Sequence, residues 1–160
     1  MRPVLSLRGR ALGCLARREH SRKELARKLA PHAGSPEQLE ALLDELVRLT
    51  YLSDDRFVTS LVTRRGERYG SMRLKQELSG HGLDPQIVKD ALSANQSTEF
   101  DRALNVWQRK FDRESSNQPE QTSERPDPAI RAKQMRFLAA RGFSGDVISK
   151  VLKYRPDDAE

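Results

Sequence analysis

An all-α fold is predicted, built as three tandem three-helix repeats strung into an elongated, curved rod. Three observations predict it. Capping signals recur along the chain and each is followed by apolar residues at helical spacing. No stretch shows convincing two-residue alternation closed by a hairpin turn. And two stretches sixty residues apart, "HGLDPQIVKDAL" (His81 to Leu92) and "RGFSGDVISKVL" (Arg141 to Leu152), share one apolar pattern, the mark of an internal repeat.

The first repeat spans 1–52. Its first helix reads Arg10-Ala11-Leu12, then Leu15. Ser21-Arg22-Lys23-Glu24 is a capping box, with the serine hydroxyl accepting an orphan N–H and the glutamate placed to reach back to another; Leu25 and Leu29 follow on one face. Ser35-Pro36-Glu37-Gln38 starts the third helix, proline standing where its missing N–H costs nothing. Leu39, Leu42, Leu43, Leu46 and Val47 then make the apolar stripe of a packed helix.

The second repeat spans 53–96. Ser53-Asp54-Asp55 opens a helix carrying Phe57, Val58, Leu61 and Val62, and Ser71 opens one carrying Leu74 and Leu78 and ending at Gly82. Asp84-Pro85 starts the last, with Ile87, Val88, Ala91 and Leu92 on its stripe. The third repeat spans 97–155 and begins with Phe100, Ala103, Leu104, Trp107 and Phe111. It is interrupted by a polar segment, 112–128, without an aliphatic or aromatic residue. Such composition cannot bury enough surface to offset ordering entropy, so a flexible linker is expected. Leu138 and then the stretch from Arg141 to Leu152 complete the repeat, and 156–160 form a tail.

The chain has 160 residues, 36% of them hydrophobic, enough for one core or a row of small ones. No apolar run reaches membrane-spanning length, and the N-terminus lacks a secretory pattern. The single cysteine, Cys14, suits a reducing compartment, so a cytoplasmic protein is expected. The net charge of +6, with a pI of about 9.8, argues for a polyanionic partner.

That charge is patterned. It concentrates from the end of the first helix through the second helix of each repeat. The candidate contacts for DNA phosphate or an acidic surface are Arg17, Arg18, Lys23 and Arg27; Arg64, Arg65, Arg68, Arg73 and Lys75; and Arg109, Lys110, Arg131, Lys133, Arg136 and Arg141. Any one surface arginine or lysine is ordinarily just solvated. Recurrence at equivalent places in three repeats is what points to a track for phosphate.

Catalysis finds little support. His20, His32 and His81 have neither metal-ligand spacing nor a cysteine cluster, so no metal or other cofactor is expected. Cys14 sits on an apolar stripe and reads as structural. Asp54 and Asp55 suit the dipole of a first helical turn, and there is no phosphate-binding glycine loop. A helix-turn-helix reading, with one helix in a major groove, remains the alternative: a nonspecific or helix-turn-helix-like DNA-binding protein.

"YLSDDRF" (Tyr51 to Phe57), "RRGERYGSMRLKQELSGHGL" (Arg64 to Leu83) and "RAKQMRFLAARGFSGDVISKVL" (Arg131 to Leu152) resemble successive repeats of the RecX family of RecA regulators. The resemblance runs from about Ala11 to Leu152. It departs at Thr50, where a glycine often precedes the tyrosine, and at Val58, where alanine is usual. The resemblance implies a non-enzymatic modulator that binds the RecA nucleoprotein filament along its groove, and a monomer is expected. It further implies suppression of ATP hydrolysis, strand exchange and co-protease activity, and binding to single- and double-stranded DNA. Tyr51, Leu52, Phe57, Trp107, Phe137 and Phe143 match family motifs too, but at helical spacing they are expected in the core.

Overall fold

The computed structural model describes residues 5–115 and 127–154. Among them every regular element is helical: α1 Leu7–Leu15, α2 Arg22–Leu29, a 3-10 turn Ala30–His32, α3 Pro36–Arg48, α4 Asp54–Gly66, α5 Ser71–Ser79, α6 Pro85–Gln96, α7 Glu99–Ser115, α8 Pro128–Ala140 and α9 Gly145–Lys153. The chain divides into two compact units, Met1–Leu61 with Leu78–Lys89, and Val62–Glu77 with Asp90–Glu160.

In the first unit, serines open the helices as their sequence positions require. The N–H of Gly9 donates to Ser6 Oγ at 3.1 Å, that of Glu24 to Ser21 Oγ at 3.1 Å and that of Gln38 to Ser35 Oγ at 3.2 Å. The second half of the expected capping box is replaced. The Glu24 carboxylate is gripped by both terminal nitrogens of Arg18 instead of reaching back to Ser21, because a guanidinium offers it a charged, two-pronged partner. The core gathers Ala11, Leu25, Leu29, Leu39, Leu42, Leu43, Leu46 and Leu52, with Cys14 packed against it. Val47 and Tyr51, expected on the apolar side, are instead 46% and 50% exposed.

α3 ends in a left-handed turn. The N–H of Tyr51 donates back to Leu46 O at 2.9 Å, and Thr50 has φ +61°. That is the helix-ending conformation glycine takes without cost, while a β-branched residue is strained there by about 1–2 kcal/mol. Thr50→Gly is therefore expected to stabilise the protein by roughly 0.5–1 kcal/mol, after allowing for the extra freedom glycine adds to the unfolded chain. A urea midpoint that does not rise would show that the turn relaxes around threonine.

The second unit is built on α7, α8 and α9. Ala103, Leu138, Phe143, Ile148 and Val151 are its buried centre, surrounded by Phe100, Leu104, Val106, Trp107, Phe137, Val147 and Leu152. Phe111 and Phe137 meet edge to face at 5.1 Å. The polar linker expected from Asp112 begins later, because α7 continues to Ser115; arginine and glutamate prolong a helix readily once it is nucleated. At the other end Asp127 is no linker residue either. Its carboxylate accepts the Ala129 N–H at 2.8 Å and caps α8, with Pro128 in the first turn. The remainder of the expected linker, 116–126, and the tail, 156–160, lie outside the described residues.

Two tight backbone contacts tie this unit together. The N–H of Gly70 donates to Arg141 O at 2.9 Å, and that of Met72 to Gly142 O at 3.1 Å. A Cβ on either Gly70 or Gly142 would overlap the facing backbone, and Gly142 has φ +79°. The turn before α5 and the turn after α8 thus dock main chain to main chain.

A shared device ends the helices of successive repeats. The α2 N-terminus is capped by an acid from α4, Arg22 N–H to Asp54 Oδ1 at 2.8 Å; the α5 N-terminus is capped by one from α7, Ser71 N–H to Glu99 Oε1 at 2.9 Å. Asp54, read from sequence as serving only its own helix dipole, also serves the preceding repeat. An anion at a helix N-terminus is favourable for the same reason in both.

Candidate functional site

The sequence places fifteen basic side chains as candidate contacts, and the structure sorts them by what already holds them. Arg18 is committed to Glu24: the contact raises the arginine's pKa and holds the carboxylate's below its ordinary range. Arg65 pairs with Glu77 at 3.2 Å. Arg17, Lys23, Arg27, Arg64, Arg68, Arg73, Lys75, Arg109 and Arg136 are exposed, and Arg131 and Arg141 half-exposed. Among the described residues none of these has a carboxylate within ion-pair distance. Lys110 and Lys133 are exposed as well, Lys133 with its ammonium 5.9 Å from the centre of the Phe111 ring.

The Gly70–Gly142 contact gathers three of them. Arg65 from α4 and Arg73 from α5 lie over the Tyr69 ring, at 5.0 and 5.5 Å from its centre. Arg141, at the end of α8, stacks 3.7 Å from the centre of Phe137 and donates to its carbonyl. Gly142, the next residue, abuts Arg73. Aromatic faces hold Arg73 and Arg141 in place without neutralising them, whereas Arg65 also pairs with Glu77. The result is a basic platform with Arg64 and Arg68 exposed on the same stretch of chain as Arg65 and Arg73. Tyr69 was not among the expected site residues. It lies in the connection between α4 and α5 and carries no charge, so charge patterning passes over it. Arg109 and Lys110 on α7, and Arg131, Lys133 and Arg136 on α8, stand apart along their own helices, as does Arg17 beyond α1.

In the first unit Lys23 and Arg27 stand four residues apart on α2 and flank a cleft that Glu24, Gly80 and His81 also line. His20 is buried; its Nδ1 bonds Arg18 O at 2.9 Å and its Nε2 faces Lys28 Nζ at 3.0 Å. Removal from water pushes its pKa down, so it sits neutral, donating from Nδ1 and accepting at Nε2.

The arginine that recurs at the start of the first helix in the second and third repeats does not join these surfaces. Arg102 donates to the carbonyls of Gly66, Tyr69 (3.2 Å) and Asn95 (2.9 Å), closing the end of α4. Arg56 reaches Tyr51 O at 3.2 Å and Glu19 at 2.9 Å. Both spend guanidinium donors on main-chain carbonyls, Arg102 at the ends of α4 and α6 and Arg56 in the connection before α4. Among the described residues no group of three acids, histidines or cysteines could hold a metal, and no helix is long and apolar enough to cross a membrane.

Comparison with known proteins bears on this arrangement. Residues 53–92 match the second three-helix domain of RecX, and residues 97–152 match the third. The regulatory protein RecX of Leptothrix cholodnii is 50% identical over 152 residues, covering 95% of this chain and 90% of that protein. The regulatory protein RecX of Neisseria gonorrhoeae is 38% identical over 158 residues, 99% and 96% of the two chains. The crystal structure of RecX from Lactobacillus salivarius superposes with a TM-score of 0.73 at 22% identity, over 92% of each chain, which establishes likeness of fold.

Proposed function

The chain belongs to the RecX family, whose members are named regulatory proteins, and we propose that it is a negative regulator of a RecA recombinase. It binds along the RecA–DNA filament in the cytoplasm and suppresses ATP hydrolysis, strand exchange and co-protease activity, with DNA binding of its own. Its sequence is organised as the repeats 1–52, 53–96 and 97–155. It acts by occupying the filament and not by catalysis.

The observation that carries this reading is the basic platform at the Gly70–Gly142 contact. Arg73 and Arg141 are held over aromatic rings with, among the described residues, no carboxylate in ion-pair distance, and Arg64 and Arg68 are exposed on the same stretch of chain as Arg73. Arginines oriented on aromatic rings, as Arg73 and Arg141 are, suit phosphate or an acidic protein face, because their charge is already placed and little side-chain entropy is lost on contact.

The test is ATP hydrolysis by preformed RecA filaments on single-stranded DNA, titrated with the wild-type chain and with Arg64→Ala/Arg68→Ala. Arg65 is left in place because it also pairs with Glu77. Wild type is expected to inhibit substoichiometrically, without relief by free DNA of equal length. The double variant is expected to need about tenfold more protein, and its log–log salt slope for DNA binding to fall by roughly 0.7–0.9 for each phosphate contact removed. Inhibition that sets in only when the chain saturates the DNA would replace this reading with that of an independent DNA-binding protein.

A further inference from the structure

Ser21 is wholly buried, and its hydroxyl accepts the Glu24 N–H at 3.1 Å as the cap of α2. The hydroxyl's own proton needs an acceptor, since a buried donor left unpaired costs about 1–3 kcal/mol. The acceptor at hand is His81 Nδ1, 2.9 Å away. Donation to Nδ1 places the imidazole's proton on Nε2. The ring is fixed further by Phe57, with centroids 4.8 Å apart at 46°. His81 is thus a rigid N–H donor, delivered by the turn between α5 and α6, where Gly82 takes φ +65°.

His81 lines a cleft of about 440 Å³ together with Lys23, Glu24, Arg27 and Gly80. Lys23 and Arg27 are exposed and, among the described residues, have no carboxylate partner. Glu24, the acid in the wall, is only 9% exposed; Arg18 holds both its oxygens and Lys28 approaches at 3.7 Å. Its charge is spent inside the wall. The remaining polar residues of the lining are a lysine, an arginine and a histidine.

We propose that this cleft is a phosphate-binding site, with Lys23 and Arg27 supplying charge and His81 Nε2–H a directional hydrogen bond, and that it takes one phosphodiester of a DNA strand. The inference rests on the nucleic-acid part of the proposed function and adds a residue, His81, that charge patterning did not single out. The volume falls in the range of small-ligand sites, roughly 300–1,000 Å³, so it accommodates a nucleotide unit and not merely a bare ion. Three donor residues around one cleft suit a phosphate, which accepts from several donors at once, better than a planar carboxylate, which Arg27 alone could satisfy.

The experiment follows the histidine ring nitrogens of the full-length, ¹⁵N-labelled chain by NMR. It is titrated in separate arms with a fifteen-nucleotide (about 15) oligothymidylate, ATP, inorganic phosphate and a polyglutamate peptide, with DNA binding measured in parallel by anisotropy. His32, exposed on the 3-10 turn, is the internal control. Oligothymidylate is expected to move His81 and leave His32 in place. Lys23→Gln/Arg27→Gln, both on exposed positions, is expected to abolish the His81 response and to lower the single-strand salt slope by about 0.7. A response to ATP or inorganic phosphate but not to the oligonucleotide supports the site and assigns it to free phosphates. A silent His81 while the chain binds DNA overturns the site and leaves the regulatory reading standing. If the chain binds no DNA and no phosphate arm moves His81, both fall. A response to polyglutamate alone overturns the phosphate assignment in favour of an acidic protein face.

Discussion

Gly142→Ala is expected to lower stability by about 3 kcal/mol, read as a fall in the urea or thermal midpoint of the purified chain. Two costs add. At φ +79° an L-residue is strained by about 1–2 kcal/mol. Its Cβ would also press on the backbone nitrogen and Cβ of Arg73, groups that cannot rotate out of the way. Relief would require the two turns to part, sacrificing the Gly70–Arg141 and Met72–Gly142 hydrogen bonds. Parting them also moves Arg73 away from Arg141, so the variant should lose filament inhibition faster than its remaining folded fraction explains. A loss of stability below 1 kcal/mol would mean that the main-chain contact is looser than described.

Leu138→Ala should cost about 2–5 kcal/mol by the same measurement. Leu138 has no solvent exposure and lies amid Ala103, Phe143, Ile148 and Val151, contributed by α7, α9 and the turn between α8 and α9. Removing its branched end leaves a cavity that these packed neighbours fill only partly. Met135, one turn earlier on α8 and 45% exposed, is the matched control: Met135→Ala should change stability by no more than about 0.5 kcal/mol. Equal effects at the two positions would show that α8 presents a different face to α7 and α9.

Membership of the RecX family was legible before any coordinates, because the motif residues report helices and caps. Ser21, Ser35 and Ser53 begin helices where sequence alone places them, each hydroxyl accepting an N–H within the first turn. Phe57, Leu52 and Phe143, read as core, are each 2% exposed. Tyr51, read the same way, is not, because the left-handed turn at Thr50 swings the chain off the helix whose periodicity had assigned it inward.

The basic candidates show the same division. Their positions could be named from charge and recurrence, but not their availability. Arg18 and Arg65 are engaged by Glu24 and Glu77, while Arg73 and Arg141 lie on aromatic rings and have no ion-pair partner among the described residues. Charge alone does not distinguish these arginines, since the acids that engage Arg18 and Arg65 stand six and twelve residues further along the chain. The Arg102 and Glu99 contacts with α4 and α5 are equally silent in sequence, joining groups about thirty residues apart.

By itself, then, the sequence determined the helices, their starts, the repeat and the excess of positive charge. All of these follow from interactions within a few residues, where periodicity and capping act. Tertiary structure alone decided which cations are free, that Gly70 and Gly142 meet, and that His81 reaches Ser21 across sixty positions of chain. Those depend on which surfaces pack together, and the free energy of packing belongs to pairs of distant segments that no local pattern encodes.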